Sequence, residues 1–138
     1  MASVIREIII EATPDTVWAA VGDFANGPLR MSPGVFVDCR LDEPDVRTLT
    51  FADGTVASER LVARDEHARR IVWAWVGDDR VEHDNTSMQV FTEGEARSRL
   101  VWIHDTLPTE LTGWLATAMD QLAPVFQEAL RSRDEIHT

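Results

Sequence analysis

The sequence predicts an α+β domain in which six or seven antiparallel strands form a curved sheet around one long C-terminal helix. Between residues 35 and 106, strand-like segments alternate with short turns, and connections of that length favour antiparallel pairing of neighbours. Residues 109–132 carry an apolar stripe at helical spacing, which predicts an amphipathic helix. A sheet curled around a single helix often leaves a hydrophobic cavity between the two. The 138 residues fit one such domain, spanning 1–138.

The N-terminal segment predicts a strand followed by a capped helix. Residues 3–11 are rich in Ile and Val, as in a strand. Thr13 is a good N-cap residue, Pro14 suits the first helical position, and Gly22 can end the helix. The following "NGPLRMSPG" is so rich in Gly and Pro that it predicts at most a short helical turn.

The turns between the later strands predict an approximate register. They place Glu59 opposite Trp75, Trp75 opposite His83, and Asn85 opposite His104. One face then holds three of the five tryptophans and is expected to be concave; it carries Glu59, Leu61, Trp73, Trp75, His83, Asn85, Leu100, Trp102 and His104. The same register puts the apolar Met88 and Val90 on the other face. Either a β-bulge follows Asn85, or His83 points outward.

The composition excludes several classes of protein. The formal net charge is −11, which disfavours binding to nucleic acid or to anionic membranes. All 13 basic residues are arginine and there is no tyrosine, so a Schiff-base lysine, a P-loop lysine and a phenolic acid are all unavailable. The four histidines lack metal-ligand spacing. We therefore expect no metal, no cofactor and no nucleic-acid or membrane partner.

The expected location is the cytoplasm. Cys39 is a lone cysteine, so an internal disulfide is not expected. No apolar run reaches the length of about 20 residues that spans a bilayer. Arg6 and Glu7 interrupt the N-terminal apolar stretch, which argues against a signal peptide. Self-association into a homodimer stays open at this point.

Several segments in order resemble one known family. "ATPDTVWAAVGDFANGPLRMSPGV" looks like the opening of the polyketide cyclase/dehydrase branch of the START-like superfamily, also called SRPBCC or helix-grip proteins. "VRTLTFADGTVASERLVARDEHARRIVW" is similar to the family's central hairpins, and "VWIHDTLP" to its last strand. The sequence departs from the family at Met31, where an aromatic residue is usual. The resemblance implies a helix-grip fold with a ligand cavity, but not one reaction.

Three functions are compatible with such a cavity. The first is a small cyclase, dehydratase or isomerase that acts on an aromatic or polyketide-like substrate by acid/base chemistry and positioning. The second is a non-catalytic carrier or sensor of a small hydrophobic or lipid-like ligand. The third is an interaction protein with a vestigial cavity. An enzyme needs titratable groups that converge on one point, whereas a carrier needs only an apolar lining.

His104 is the main candidate for a catalytic acid/base group, since it follows the parity of Leu100 and Trp102 at the end of an apolar strand. Asp105 then points the other way, or lies at the rim where the strand ends, so by simple alternation these neighbours do not form a dyad. Glu59 is expected to orient His104 or to hold a second proton, and His83 is a further candidate. The expected ligand-binding residues are Trp73, Trp75, Asn85, Trp102, Trp114, Phe24 and Met31.

Each of these residues also has a purely structural interpretation. His104 could be a buried histidine that hydrogen-bonds a neighbour and does no chemistry. Glu59 could form an ion pair with an arginine such as Arg6 or Arg99. The tryptophans could simply form the core, although their wide flat rings also suit planar ligands.

Overall fold

The computed structural model describes residues 2–132 and shows a seven-stranded antiparallel sheet with a long helix at its C-terminal end. In chain order the elements are β1 (Ala2–Ile10), α1 (Pro14–Val21), α2 (Gly27–Met31), β2 (Phe36–Glu43), β3 (Val46–Phe51), β4 (Val56–Asp65), β5 (Arg70–Val76), β6 (His83–Thr92), β7 (Ser98–Leu107) and α3 (Leu111–Leu130). The predicted α+β architecture is confirmed.

The strand order in the sheet is β1-β7-β6-β5-β4-β3-β2. Strands β2 to β7 therefore form a meander, in which each strand pairs with the next one in sequence. β1 instead pairs with β7, with Val4 opposite His104. The first and the last strand thus pair at one side of the sheet, where β1 forms the edge, and β2 forms the other edge.

The start and the end of α1 lie where the sequence predicts them. The Thr13 side chain accepts a hydrogen bond from the Thr16 backbone N–H (3.3 Å), and the Gly22 N–H bonds back to the Trp18 carbonyl oxygen (2.8 Å). A Cβ at Gly22 would lie 2.6 Å from the Trp18 ring, so only glycine lets this indole fold under the helix end. α2 has five residues, in agreement with the predicted short turn.

The hydrophobic core lies between the concave face of the sheet and the helices. α3 packs against β1 and β7, and buries Leu115, Met119, Phe126 and Leu130. α1 covers part of β6 and β7 through Val17, Trp18 and their neighbours. The concave surface of β3, β4 and β5 therefore receives less cover from α3, and this is the side on which the cavity described below extends.

The predicted register of β6 is wrong by one residue. Thr86, and not Asn85, lies opposite both Trp73 and His104. The pairing of β6 with its neighbours is uninterrupted, so no bulge follows Asn85, and the alternative that His83 points outward is the correct one. Asp84, Thr86, Met88 and Val90 are buried, whereas His83 is exposed. The error arises because turn signals locate the connection at residues 77–82 but do not determine its parity.

An ion pair joins α3 to β1. Arg6 Nε donates to Asp120 Oδ1 (2.6 Å) and Nη2 donates to Oδ2 (3.3 Å). The hydrogen bond from Arg6 holds the pKa of the Asp120 carboxyl below its usual value. A depressed pKa in the folded state means that the pair contributes stability above the unfolded-state value of about 3.9 and loses it as the pH falls through the folded-state pKa.

We therefore expect Asp120→Asn to lower the melting temperature slightly at neutral pH, with a difference from the wild type that shrinks to zero as the pH falls below the folded-state pKa of Asp120. Thermal melts across this pH range measure the difference. Asp79→Asn is the matched control, since Asp79 is exposed and makes no ion pair within residues 2–132. A difference that is constant with pH would show that the Arg6–Asp120 bond is not its cause.

Candidate functional site

A cavity of about 190 Å³ lies between the concave face of the sheet and the helices. Its walls are mainly apolar. The aromatic side chains among them are Phe36, Phe51, Trp73, Trp75, Trp102, Trp114 and Phe126. The ionisable side chains among them are Arg47, Glu59 and His104. The apolar walls favour a hydrophobic ligand, and the three ionisable groups can orient it or react with it.

His104 is held by a buried carboxylate. Its Nδ1 lies 2.9 Å from Asp84 Oδ1 and 3.1 Å from Oδ2. The side chain of Asp84 is 2% exposed and that of His104 is 12% exposed. Thr86 adds a third group, since its hydroxyl donates to Asp84 Oδ2 (3.3 Å) and lies 3.1 Å from Nδ1. The carboxylate can only accept, so Nδ1 carries the proton and donates a hydrogen bond to Asp84.

The second nitrogen of His104, Nε2, has no hydrogen-bond partner among residues 2–132. When Nδ1 carries the proton of a neutral imidazole, Nε2 carries a lone pair. Since His104 lines the cavity, this basic atom is available to a bound molecule. The predicted parity of His104 is therefore correct, and so is the expectation that Asp105 is not its partner.

Asp84 is the residue of this site that sequence reasoning missed. The wrong register of β6 placed it on the outer face, among the acidic residues of the neighbouring turn. The signal was present in the alternation of Asp84, Thr86, Met88 and Val90, whose last two members are apolar and had to face the core. Reading the strand from its apolar end would have placed Asp84 beside His104.

A second buried charge pair, Arg47 with Glu59, lies on β3 and β4. Arg47 Nε donates to Glu59 Oε1 (2.9 Å), and Nη2 lies 2.7 Å from the same oxygen. Arg47 Nη1 donates to the Phe24 backbone oxygen (3.0 Å). The guanidinium lies over the Phe24 ring (4.3 Å) and the Trp73 ring (4.8 Å), and its side chain is 4% exposed. Arg47 thus fixes Glu59, Trp73 and the segment between α1 and α2.

The expected contact between Glu59 and His104 is wrong. Both residues line the cavity, but β4 and β7 are separated by β5 and β6, which corresponds to about 14 Å across the sheet at ~4.8 Å per strand. Asp84 is the carboxylate that orients His104. Glu59 does form an ion pair, although with Arg47 and not with Arg6 or Arg99 as suggested by the sequence.

The other expected ligand residues divide into two groups. Trp73, Trp75, Trp102, Trp114 and Met31 line the cavity. Phe24 lies outside the lining and covers one face of Arg47. Asn85 and His83 lie on the opposite face of the sheet, so their prediction as cavity residues, which rested on the wrong register, is wrong. Whether the lining residues bind a ligand stays a prediction.

Two tryptophans lie at the mouth of the cavity. Trp114 on α3 is 58% exposed, and its ring centroid is 6.0 Å from that of Trp75. Deeper in, the Trp102 ring contacts the rings of Phe126 (5.1 Å) and His104 (5.8 Å). An exposed indole beside an apolar opening favours the capture of a flat aromatic molecule.

The described residues offer little support for metal binding, for a cysteine nucleophile or for a membrane-spanning helix. Within residues 2–132, no cluster of three or more His, Cys, Asp or Glu side chains could hold a metal ion. Burial raises the pKa of the Cys39 thiol, which makes it a poor nucleophile. None of the helices between residues 2 and 132 is both long and apolar enough to cross a membrane.

A curved antiparallel sheet that encloses a cavity with a C-terminal helix defines the START-like, helix-grip class of proteins. Within this class, the chain belongs to the family described as "Polyketide cyclase / dehydrase and lipid transport", whose model matches residues 1–133. No curated protein sequence matches the chain.

Solved structures share the fold at low sequence identity. An uncharacterised protein from Bacillus thuringiensis is 21% identical with a TM-score of 0.82, over 94% of this chain and 98% of its own. A START superfamily protein from Mycobacterium smegmatis is 16% identical with a TM-score of 0.76, over 99% of both chains. The Zhui aromatase/cyclase from a Streptomyces species is 18% identical with a TM-score of 0.72, over 94% of this chain and 90% of its own.

Removal of one member of the Arg47–Glu59 pair should destabilise the fold strongly, whereas replacement of both by apolar residues should destabilise it little. Arg47→Met leaves the Glu59 carboxylate buried without its partner, and we expect it to lower the free energy of unfolding by about 3–5 kcal/mol. The double variant Arg47→Met/Glu59→Leu removes both charges and should recover most of that loss. Urea unfolding of both variants measures the two values.

Arg40→Met serves as the control for this pair of variants. Arg40 also forms an ion pair with a carboxylate, that of Asp42, but on the surface, with the Arg40 side chain 63% exposed. Its loss should change stability little, because solvent screens exposed ion pairs. A double variant as unstable as Arg47→Met would mean that Arg47 stabilises the fold by packing rather than by charge.

Proposed function

We propose that this protein binds a flat aromatic or polyketide-like molecule in its cavity and uses His104 as a cofactor-independent acid/base group for cyclisation, dehydration or isomerisation. The observation that carries the proposal is the hydrogen bond from His104 Nδ1 to the buried carboxylate of Asp84 (2.9 Å), on the wall of an apolar cavity. A histidine held in this way presents a basic nitrogen in a defined direction.

Asp84 has two roles in this proposal. It holds the imidazole in the tautomer with the proton on Nδ1, so that Nε2 is the base. It also stabilises the imidazolium that forms when Nε2 accepts a proton, because the carboxylate lies in direct contact with the new positive charge. Thr86 completes the arrangement, since its hydroxyl donates to the Asp84 oxygen that is farther from Nδ1.

The reaction that suits this geometry is proton transfer next to a carbonyl group. His104 Nε2 removes a proton from a carbon that flanks the carbonyl, and the resulting enolate attacks a second carbonyl or rearranges. The imidazolium then returns the proton to the developing alkoxide in a cyclisation, to a hydroxyl that leaves as water in a dehydration, or to another carbon of the conjugated enolate in an isomerisation. The tryptophan walls hold the substrate flat and close to Nε2, which is the positioning contribution.

The comparisons support the class of ligand and of reaction. The family description names polyketide cyclases and dehydrases, and one structural neighbour is an aromatase/cyclase. The cavity volume of about 190 Å³ suits a molecule of one or two rings, given that an apolar cavity of ~150 Å³ holds benzene. Larger substrates would have to extend through the mouth between Trp75 and Trp114.

The second candidate function is a non-catalytic carrier or sensor. It is favoured by the lining, which is apolar except for Arg47, Glu59 and His104. The family description also includes lipid transport. A long acyl chain fits a cavity of this volume less well than a compact ring system, so in this alternative too the ligand is a small hydrophobic molecule.

Exchange of the acidic carbon-bound protons of β-tetralone into deuterated water tests the acid/base proposal. This bicyclic ketone contains one aromatic ring and has acidic C–H bonds next to its carbonyl, and proton NMR follows the exchange. We expect the wild type to accelerate the exchange above the rate in buffer, and His104→Gln to lower the catalysed rate by a factor of about 10²–10⁴. Asp84→Asn should lower the rate as well, because an amide cannot stabilise the imidazolium. His67→Gln, an exposed histidine, is the control.

Tryptophan fluorescence should show saturable binding of β-tetralone to all four proteins. Saturable binding without accelerated exchange in the wild type would favour the carrier. A large drop in the melting temperature of His104→Gln, with binding and exchange unchanged, would mean that His104 has a structural role only.

A further inference from the structure

Among the ionisable side chains that line the cavity, Glu59 has an oxygen, Oε2, that the acid/base step does not use. Glu59 is 8% exposed and lines the cavity, and both short contacts from Arg47 go to its other oxygen, Oε1. Within residues 2–132, no group donates a hydrogen bond to Oε2. In the same residues, the side-chain polar atoms that lack both a partner and solvent contact are the indole nitrogens of Trp18 and Trp102. Oε2 is not one of them, so it has no partner but is not sealed off from open space. Oε2 is therefore an acceptor that is open to the cavity.

Arg47 cannot take the place of Glu59 as the group that meets a ligand. Its Nε and Nη2 face Glu59, and its Nη1 donates to the Phe24 backbone oxygen. The rings of Phe24 and Trp73 lie over the guanidinium at 4.3 and 4.8 Å. The accessible group at this end of the cavity is thus a carboxylate oxygen held in a fixed position, which attracts hydrogen-bond donors and repels anions.

We propose that Glu59 Oε2 accepts a hydrogen bond from a hydroxyl group of the ligand, which makes the ligand a phenol-like aromatic rather than an aromatic hydrocarbon or an aromatic carboxylate. A ligand without the hydroxyl would leave the carboxylate oxygen desolvated and unpaired. The inference rests on the proposed function in one respect only, namely that the cavity is the ligand site. It does not depend on proton transfer at His104.

The position of Glu59 also determines how the ligand lies. Strand β5, which carries Trp73, lies between the strand of Glu59 and the strands that carry Asp84 and His104. A hydroxyl bound to Glu59 therefore lies at the opposite end of the cavity from Nε2. The ring of the ligand then lies over β5, whose Trp73 and Trp75 line the cavity, and its other end faces His104.

Calorimetric titration with three matched bicyclic compounds tests the proposal. β-Naphthol carries the hydroxyl, its methyl ether keeps the oxygen but has no proton to donate, and β-naphthoate carries a negative charge. We expect the wild type to bind β-naphthol about tenfold or more tightly than the ether, because the hydrogen bond goes to a charged acceptor. The naphthoate should bind most weakly of the three.

Two variants locate the origin of this preference. Glu59→Gln should reduce the preference for the naphthol over the ether to about threefold or less, since the neutral amide is a weaker acceptor. His104→Gln should keep the full preference. If Glu59→Gln does not fold, Arg47→Met/Glu59→Leu replaces it, because that variant removes the carboxylate together with the charge that needs it.

Three results would overturn the proposal: equal affinities of the wild type for the naphthol and the ether, a preference that survives the loss of Glu59, or a preference that disappears in His104→Gln. The outcome is separable from that of the proposed function. Loss of proton exchange with an intact naphthol preference counts against His104 as acid/base, whereas exchange without the preference counts against Glu59 as the hydroxyl acceptor.

Discussion

The structure depends on a mismatch of width between one helix and a seven-stranded sheet. A helix with its side chains is about 10–12 Å across, whereas seven strands at ~4.8 Å spacing extend over roughly 30 Å. α3 can therefore cover only the β1 and β7 side of the concave face, and α1 with α2 covers part of the rest. The remaining surface, over β3, β4 and β5, receives less cover from the helices. The cavity results from this incomplete cover.

The same geometry explains why the polar groups lie at two separate places in an apolar cavity. Two buried carboxylates each have a partner on the neighbouring strand. Asp84 on β6 contacts His104 on β7, and Glu59 on β4 contacts Arg47 on β3. Such pairing is what makes a charge tolerable at low exposure. In each pair one atom is left over, Nε2 of His104 and Oε2 of Glu59, and both belong to side chains that line the cavity. A basic nitrogen and an anionic oxygen at opposite ends give the cavity a direction.

The elements that follow from local physics were predictable. Helix α1 follows from Thr13, Pro14 and Gly22, and α3 from a stripe that repeats over 20 residues. The orientation of His104 followed from an apolar strand that alternates up to it. The partners of His104 and Glu59 did not follow, because Asp84 and Arg47 come from other strands and their placement requires a register that is correct to one residue. An error of one residue in the predicted register placed His83 and Asn85 on the inner face and Asp84 on the outer face.

Sequence by itself determined the class of this protein: an α+β domain, a curved antiparallel sheet, a C-terminal helix with one apolar face, and an acidic surface without lysine. These properties follow from composition, periodicity and turn chemistry, which act over a few neighbouring residues. Only the tertiary structure decided which charges meet. The contacts of Asp84 with His104 and of Arg47 with Glu59 join residues 20 and 12 positions apart, and they exist because strand pairing brings those side chains to one face. Alternation along one strand can show that Asp84 faces the core, but the residue that it meets there depends on the register set by the turns between the two strands.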